Sequence, residues 1–379
     1  MQAVGMIAEF NPLHNGHVYA LQQARQQSGA DVVVVAMAGN FTQRGDVAIV
    51  DKWHRAQAAL ACGADLVIEL PVTDAVQAAP NFAQGGVALL AALGVATLAF
   101  GTEAPSLDYA KLAAQMAAAP PEAAHFHADF TQTYATQLNA YYQAQFGVDL
   151  SSPNMLLGLS YAQANAAIGT PLHLLPLQRI GAAHDAAQSV ANFASASALR
   201  HKLAVQETVA AFVPQATMQA LAARHLSWAE LYPLLRYRLH TAELSELQQI
   251  DAMSEGLEYR LTQQNAAARD FTSFLHAVKS KRYTYARLRR LALATVLNLT
   301  QARVEFAHAH RYLQVLGFTP VGRQYLHAVK KQVALPLITR VSQAMIQPGG
   351  LLETQARADR LIADLVGQEQ NYGRVPLQG

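Results

Sequence analysis

His14 and His17 lie three residues apart in Asn11-Pro12-Leu13-His14-Asn15-Gly16-His17, directly after an apolar run from Val4 to Phe10 that reads as a buried strand. If a helix opens here, both imidazoles sit on one face of its first turn. Backbone N–H groups at such a start attract phosphate, Gly16 lets a nucleotide approach closely, and the imidazoles can donate to charge developing at phosphorus. That is the chemistry of phosphate transfer. Two blander readings are a pair of histidines capping an ordinary helix and a pair of metal ligands. The metal reading lacks a third ligand in any recognisable motif, so no metal site is expected.

A second group lies far along the chain. Ser195-Ala196-Ser197-Ala198-Leu199-Arg200 follows a strand-like stretch and begins another helical one. It offers two hydroxyls, unpaired N–H groups and a guanidinium, which suit the β- and γ-phosphates of a triphosphate and the departure of pyrophosphate. Ser-Ala-Ser is also an ordinary helix cap. With both elements present, His14, His17 and Arg200 are the candidate catalytic residues, and Ser195 and Ser197 candidate nucleotide contacts.

The elements that must position these residues alternate through the first half. Strand-like runs at Val4 to Phe10, Asp31 to Met37, Asp65 to Pro71, Val95 to Phe100 and Leu172 to Leu177 are separated by helical patterns. The second run is β-branched and does not alternate, as expected of a central strand covered on both faces. Repeated strand and helix predicts an α/β fold, a doubly wound parallel sheet of Rossmann-like nucleotidyltransferase type, with ligands beyond the carboxyl ends of its strands. The expected domains are 1–202, with a helical insertion near 109–148 broken at Pro120-Pro121, and 203–379. Strand signals fade after about residue 203, so the second domain is expected to be mostly α-helical, with Tyr372 to Gly379 loose.

Composition narrows the class. Hydrophobic residues make up 52% of the 379 and charged ones 14%, which excludes a disordered chain, and the single Cys62 excludes a disulfide scaffold or a cysteine-built zinc site. No basic leader precedes the first motif, so a cytoplasmic protein is expected. The uncharged stretch between Asp74 and Glu103 is divided by Pro80, Asn81, Gly85, Gly86 and Gly94, and no membrane span is expected. Residues 1–200 hold 7 Lys/Arg against 13 Asp/Glu, a balance of −6, whereas 201–379 hold 21 against 13, a balance of +8. The basic half is the place for a polyanion to dock.

The combined motifs are specific. Gly5 to His17, Ala38-Gly39-Asn40-Phe41-Thr42-Gln43-Arg44-Gly45, Asp51-Lys52-Trp53, Phe100-Gly101-Thr102-Glu103, Ser152-Pro153-Asn154, Gln178-Arg179-Ile180-Gly181 and Lys281-Arg282-Tyr283-Thr284 resemble the bacterial tRNA(Met) cytidine acetate ligase family. That family belongs to the His-x-Gly-His nucleotidyltransferase superfamily. The likeness is dense over the first 200 residues and thinner beyond, chiefly around 279–290 and at Leu316-Gly317-Phe318. It implies ATP-dependent acetylation of N4 of the wobble cytidine of elongator tRNA(Met), with free acetate as donor and acetyl-adenylate as intermediate. It also implies ATP as substrate; Mg²⁺ is expected from ATP chemistry, and no protein partner is predicted.

By the same resemblance, ATP contacts map onto Ile7, Ala8, Glu9, Phe10, Asn11, Pro12, Leu13, His14, Asn15, Gly16, His17, Val18, Tyr19 and Ala20, with Gly101, Asn154 and Arg179 in addition. Gly101 ends a strand and reads equally as a turn; Asn154 reads equally as a helix cap. Arg179 leaves an apolar run, where a charge needs a partner such as phosphate. Arg44 and Lys52 are lesser candidates that read as surface charges. Glu9 could orient a site histidine or pair with a helix terminus, and His184 could assist the site or fill the core.

Lys279, Lys281, Arg282, Arg287, Arg289 and Arg290 put six cations within twelve residues, interleaved with Tyr283 and Tyr285. Such a cluster can follow phosphates and stack on exposed bases, or can be a solvated helix face. Two other functions stay open on the residues alone: a small-molecule adenylyltransferase of cofactor metabolism, which needs no basic half, and a non-catalytic RNA-binding protein on a nucleotide fold. If the cluster grips RNA, Lys281→Ala with Arg282→Ala weakens tRNA binding and lowers its salt slope by up to about two counterions. A binding series across salt concentrations measures this, and unchanged affinity would assign the cluster to a solvated face.

Overall fold

Every residue of Val32–Ala38 is buried. A strand of branched side chains hidden on both faces needs cover on both, and this one, β2, runs through the middle of the sheet. The structure is a computed structural model that describes residues 1–118, 134–180, 192–254 and 256–379. Beside β2 lie β1 (Ala3–Ala8) and β3 (Leu66–Leu70), and beyond β1 lie β4 (Thr97–Thr102) and β5 (His173–Gln178). These five are mutually parallel in the order β5-β4-β1-β2-β3. The order reverses between β1 and β4, so the crevice for a ligand lies outside their carboxyl ends.

The expected strands are all present within two residues at each start. The second half is mainly helical, as expected, yet it also completes the sheet. Leu313–Phe318 (β6) pairs antiparallel with β3. Leu337–Ile338 (β7) and Leu377–Gln378 (β8) pair with β6. The expectation that strand signals end near 203 is thus corrected. β6 is a six-residue run between helices, and its buried Gln314 and Gly317 dilute the apolar pattern. The expected loose tail from Tyr372 is corrected too, since the Gly379 N–H donates to the Phe318 carbonyl at 3.0 Å. Backbone pairing at a sheet edge needs little from side chains.

Helices Tyr109–Ala118 and Tyr134–Phe146 lie within the stretch 109–148, and Pro120-Pro121 between them lies outside the described residues. One core packs Val34, Ala36 and Ile68 of the sheet against Phe82, Val87 and Tyr325. The opposite face packs Val33, Val35 and Met37 against Leu21, Ala24 and Trp53. A third core, around Leu231, Phe274 and Leu291, belongs to the helical half but takes in Phe41, Val47 and Val72 from the first. The halves therefore share apolar surface. Among the described residues no helix is long and apolar enough to cross a membrane.

A buried ionic cluster joins the halves more specifically. Lys52, read from sequence as a surface charge, is fully buried at the start of the helix Lys52–Ala61. Its Nζ lies 2.8 Å from Glu69 Oε2, 2.7 Å from Asp359 Oδ2 and 3.1 Å from Asn371 Oδ1. Gln355 donates to Glu69 at 3.0 Å and to Asp359 at 2.8 Å, and Asn40 donates to Asp359 at 2.8 Å. Glu69 is on β3, whereas Asp359 is on the helix Glu353–Val366. Removing one partner leaves a buried charge without compensation, so Lys52→Met should lower the unfolding free energy by about 3–5 kcal/mol. Urea denaturation reads this, and a loss within about 1 kcal/mol would mean that the cluster does not hold the halves together.

Candidate active site

β1 ends at Ala8, and six residues separate it from the helix Asn15–Ser28. The turn between them is held from below. Arg55, 1% exposed, donates from Nη1 to the carbonyls of Glu9 at 2.7 Å and Ala38 at 3.0 Å, and from Nη2 to that of Gly39. The carboxyl ends of β1 and β2 are thereby tied to one guanidinium. Within the turn Phe10 and Leu13 are core residues, Pro12 is buried, and the Asn11 side-chain oxygen accepts from the Ile49 N–H at 2.8 Å. Ile7 packs on Gly86, and Val18 and Ala20 pack into the core under the sheet. Tyr19 is half-buried on the same helix.

His14 is the N-cap, with extended backbone. Its ring stacks on that of His17, centroids 3.7 Å apart and planes 20° apart, and Phe10 meets His17 edge-on at 5.0 Å. The His14 N–H donates to His17 Nδ1 at 3.3 Å. With Nδ1 accepting, the proton of a neutral His17 ring sits on Nε2, which is then a donor. His14 Nδ1 is buried and has no partner. A Cβ on Gly16 would lie 3.0 Å from His14 Cε1, so this glycine makes room for the imidazole itself. Close nucleotide approach had been the expected reason for it.

Burial pushes the His14 imidazole down to about 4, helped by the positive Arg179, and burial with His14 and Arg179 holds His17 well below its ordinary value. Both rings are neutral donors or acceptors at physiological pH. The N–H groups at the helix start are only partly free. Asn15 spends its backbone N–H on the Phe212 carbonyl at 2.9 Å and its side-chain amide on Asn192 at 2.9 Å and Ala211 at 3.1 Å.

Arg179, Asn154 and Gly101 come together as a second wall. Arg179 leaves β5 and lies 3.3 Å from Glu103 Oε1, and its Nη1 donates to Asn154 Oδ1 at 3.5 Å. A Cβ at Gly101 would sit 3.3 Å from Arg179 Cγ. Glu103 accepts from Asn154 and from Ser152 Oγ, each at 2.6 Å. Burial opposes its charge, but these hydrogen bonds hold its carboxyl below the usual range. Glu103 and Ser152 orient the wall and had not been singled out as site residues. Their signal was their place inside Phe100-Gly101-Thr102-Glu103 and Ser152-Pro153-Asn154. Gly181 and His184 lie outside the described residues.

Arg200 closes the third side. Its Nη1 donates to the Asn11 carbonyl at 2.8 Å and its Nη2 to Ser197 Oγ at 3.3 Å, while Ser195 caps the helix Ala196–Ala204 by accepting from the Ala198 N–H at 3.2 Å. Ser195 is thus a cap, as the blander reading allowed. Glu9 accepts from the Gln43 N–H at 2.6 Å, and burial raises its carboxyl above the ordinary value. Neither expected partner of Glu9, a site histidine or a helix terminus, takes that hydrogen bond. Arg44 is exposed.

The basic cluster divides into two ends. Lys281 and Arg282 are exposed. Lys279 lies over the Tyr285 ring at 5.5 Å, and Arg287 over the Tyr283 ring at 4.7 Å while donating to Ser254. Arg289 pairs with Asp46 at 3.3 Å and Arg290 donates to the Gln43 carbonyl at 3.2 Å. The last two turn toward the loop after β2. Gly45 in that loop has φ +79°, and a Cβ there would run into the backbone of Arg289 and Arg290, so the loop and helix meet backbone to backbone. Among the described residues no group of three or more His, Cys, Asp or Glu side chains could hold a metal ion.

The model of the HIGH nucleotidyl transferase family matches residues 1–374. The tRNA(Met) cytidine acetate ligase of Latilactobacillus sakei subsp. sakei (strain 23K) is 48% identical over 382 residues, covering 100% of this chain and 97% of its own. That of Lactiplantibacillus plantarum is 47% identical over 381 residues, covering 99% and 98%. Among solved structures, Thermotoga maritima TmcAL bound with alpha-thio ATP superposes with a TM-score of 0.86 at 28% identity over the whole of both chains.

The His14 environment has a pH consequence. Its folded-state value, about 4, lies below the ordinary 6.5, so as pH falls the unfolded chain takes up this proton first. Stability from this group is complete above about pH 6.5 and is lost as pH falls toward about 4. His14→Gln should spare the protein on the order of 3 kcal/mol of that acid-side loss. Urea denaturation of both proteins near pH 7 and near pH 4 measures it, and equal losses would mean that His14 titrates normally.

Proposed function

The chain belongs to the tRNA(Met) cytidine acetate ligase family of HIGH nucleotidyl transferases, and on that premise we propose that it makes N4-acetylcytidine at the wobble position of elongator tRNA(Met) from acetate and ATP. An acetate oxygen attacks the α-phosphorus, and the bond to the bridging oxygen breaks as pyrophosphate leaves with that electron pair. The cytidine N4 then attacks the acetyl carbon of the acetyl-adenylate. A C–N bond forms, the bond from carbon to the phosphate oxygen breaks, AMP leaves, and the amine proton passes to water.

The observation that carries this reading is the stacked, neutral imidazole pair at the switch point of the sheet, His14 buried and His17 half-buried, with His14 Nδ1 unpartnered and Arg179 beside it. Donors held in a dry site strengthen most on an oxygen whose charge grows during reaction, and they need no reorganisation to do so. His17 Nε2–H serves the α-phosphoryl oxygens. Arg179, oriented by Glu103 and Asn154, adds fixed positive charge on the same side. Arg200 and the N–H groups of Ala196 and Ser197 suit the β- and γ-phosphates, whose departure they stabilise. Any Mg²⁺ would be held by the triphosphate and water, since the described residues offer it no cluster of their own.

Two outcomes follow. ATP, labelled acetate and bulk bacterial tRNA should suffice to label cytidine, read by nucleoside analysis; label entering only from acetyl-CoA would rule the mechanism out. His17→Ala should slow acetyl-adenylate formation by roughly 10²–10³, equivalent to about 2–4 kcal/mol in the barrier, with the folded state retained. Undiminished adenylation in that variant would move the site elsewhere.

A further inference from the structure

Between the nucleotide fold and the helical half lies a cavity of about 1070 Å³. Its walls come from the loop after β2, the helix Ala196–Ala204, the chain from 206 to 230, and the helix Tyr285–Leu297. Arg200 forms part of one wall, and its guanidinium also touches the Asn11 carbonyl in the histidine turn. Arg289, at the inner end of the basic cluster, forms part of another. The cavity is thus bounded by a residue of the proposed adenylation site and by a residue of the proposed RNA-binding cluster.

Its polar lining suits one kind of occupant. Asp46 and Arg289 pair across 3.3 Å, with a single guanidinium nitrogen serving both carboxylate oxygens. The Arg289 side chain is 41% exposed, and Asp46 engages only its Nη1, while its partnerless Nε is buried. The pair therefore presents a carboxylate acceptor next to unspent guanidinium donors. A cytosine edge offers the complement, an exocyclic amine beside a ring nitrogen and a carbonyl oxygen that both accept. Met218 and Leu221 supply apolar surface for a base face.

Size excludes larger pieces of RNA. A cavity of this order takes a small molecule or a single nucleotide, whereas an RNA helix has to stay outside. Reading one base of a loop requires it to leave its stack. Extending the proposed tRNA acetylation, on which this inference rests, we propose that the cavity receives the acceptor cytidine turned out of its anticodon loop, with Asp46 and Arg289 on its amine edge. The outer, exposed end of the cluster at Lys281 and Arg282 then holds the loop backbone, while the inner end at Arg289 receives the base.

The test uses Met218→Trp and Ala222→Trp, each replacing an exposed side chain that lines the cavity and has no place in the adenylation site. Acetyl-adenylate formation without RNA should stay within about twofold of the parent, as for other surface changes. Affinity for tRNA, set by phosphate contacts, should change by less than about threefold. Single-turnover transfer of acetyl to saturating tRNA should fall by roughly 100-fold or more, because the amine no longer reaches the acetyl carbon. Ala222→Ser, which leaves the space open and removes no contact assigned to the base, should transfer normally.

Normal transfer in both tryptophan variants would overturn the inference. So would loss of adenylate formation together with transfer, which would give the cavity to ATP, or a loss of affinity with normal transfer at saturation, which would give it to the RNA backbone. If the parent protein itself forms no acetyl-adenylate or acetylates no tRNA, the proposed function fails and this inference with it.

Discussion

The Lys52 ammonium is the group on which the arrangement of the molecule depends. It is fully buried between Glu69 and Asp359, and an ion in such a place is tolerated only if its charge is cancelled and its donors are spent. Three donors meet carboxylate and amide oxygens from β3, from the helix Glu353–Val366 and from Asn371. One buried cation therefore fixes segments from both ends of the chain at once. The carboxylates need it equally. Burial pushes Glu69 up to about 7 against the pull of Lys52, and Asp359 pushes it the same way. Arg55, also buried and brought down to about 10 by desolvation, adds a second positive charge nearby. Two cations against two carboxylates leave the region close to neutral.

That neutral knot lies at the carboxyl ends of β2 and β3, which is also where the site begins. Lys52 contributes its backbone N–H to Asn40 at 2.7 Å, and Asp51 beside it caps the helix by accepting from Trp53 and His54. The loop from Gly39 to Val50 is thus pinned at both ends. Arg55 hangs the turn after β1 from the same helix, and the Asn11 side chain ties that turn to Ile49. A displacement of the Glu353–Val366 helix would reach the histidine turn through Asp359 and Lys52, then along the helix Lys52–Ala61 to Arg55, which holds the Glu9 carbonyl at the start of that turn. Shared apolar packing alone would permit sliding; directed bonds to a buried ion do not.

Much of this was legible in the sequence, and the boundary of what was legible has a physical cause. Strand β2 announced itself because four consecutive valines have no other common use, and the histidine turn did so because a glycine, a strand end and two imidazoles coincide. Both signals are local. Lys52 was misread because its partners are 17 and 307 residues away, and nothing around Asp51-Lys52-Trp53 distinguishes a solvated lysine from a buried one. β6 was missed for a related reason. Its pairing energy comes from β3, far off in sequence, and not from a pattern of its own. The candidate site divides in the same way. Arg179 was found as a charge in an apolar run, but Glu103, which holds it, became visible only once β4 and β5 were placed side by side.

Three guanidinium groups around the site, those of Arg179, Arg200 and Arg289, share one further property: each is engaged before any ligand arrives. Arg179 pairs with Glu103, Arg200 donates to Asn11 and Ser197, Arg289 pairs with Asp46, and the two imidazoles are neutral. An anion can enter only by exchange, displacing or sharing these partners. Bare charge would attract any phosphate, including the backbone of an RNA substrate, whose local phosphate concentration at the enzyme surface is high. Engaged cations lower that attraction, and a ligand recovers the lost energy only if its shape meets several donors together. In the proposed adenylation site, a triphosphate lying along the turn can meet the imidazoles, Arg179 and the helix start at one time. A sugar-phosphate chain, with a single charge at each repeat, cannot. Discrimination between the two polyanions that such an enzyme must handle then follows from the same neutral, pre-paired state that the buried cluster below the site keeps in register.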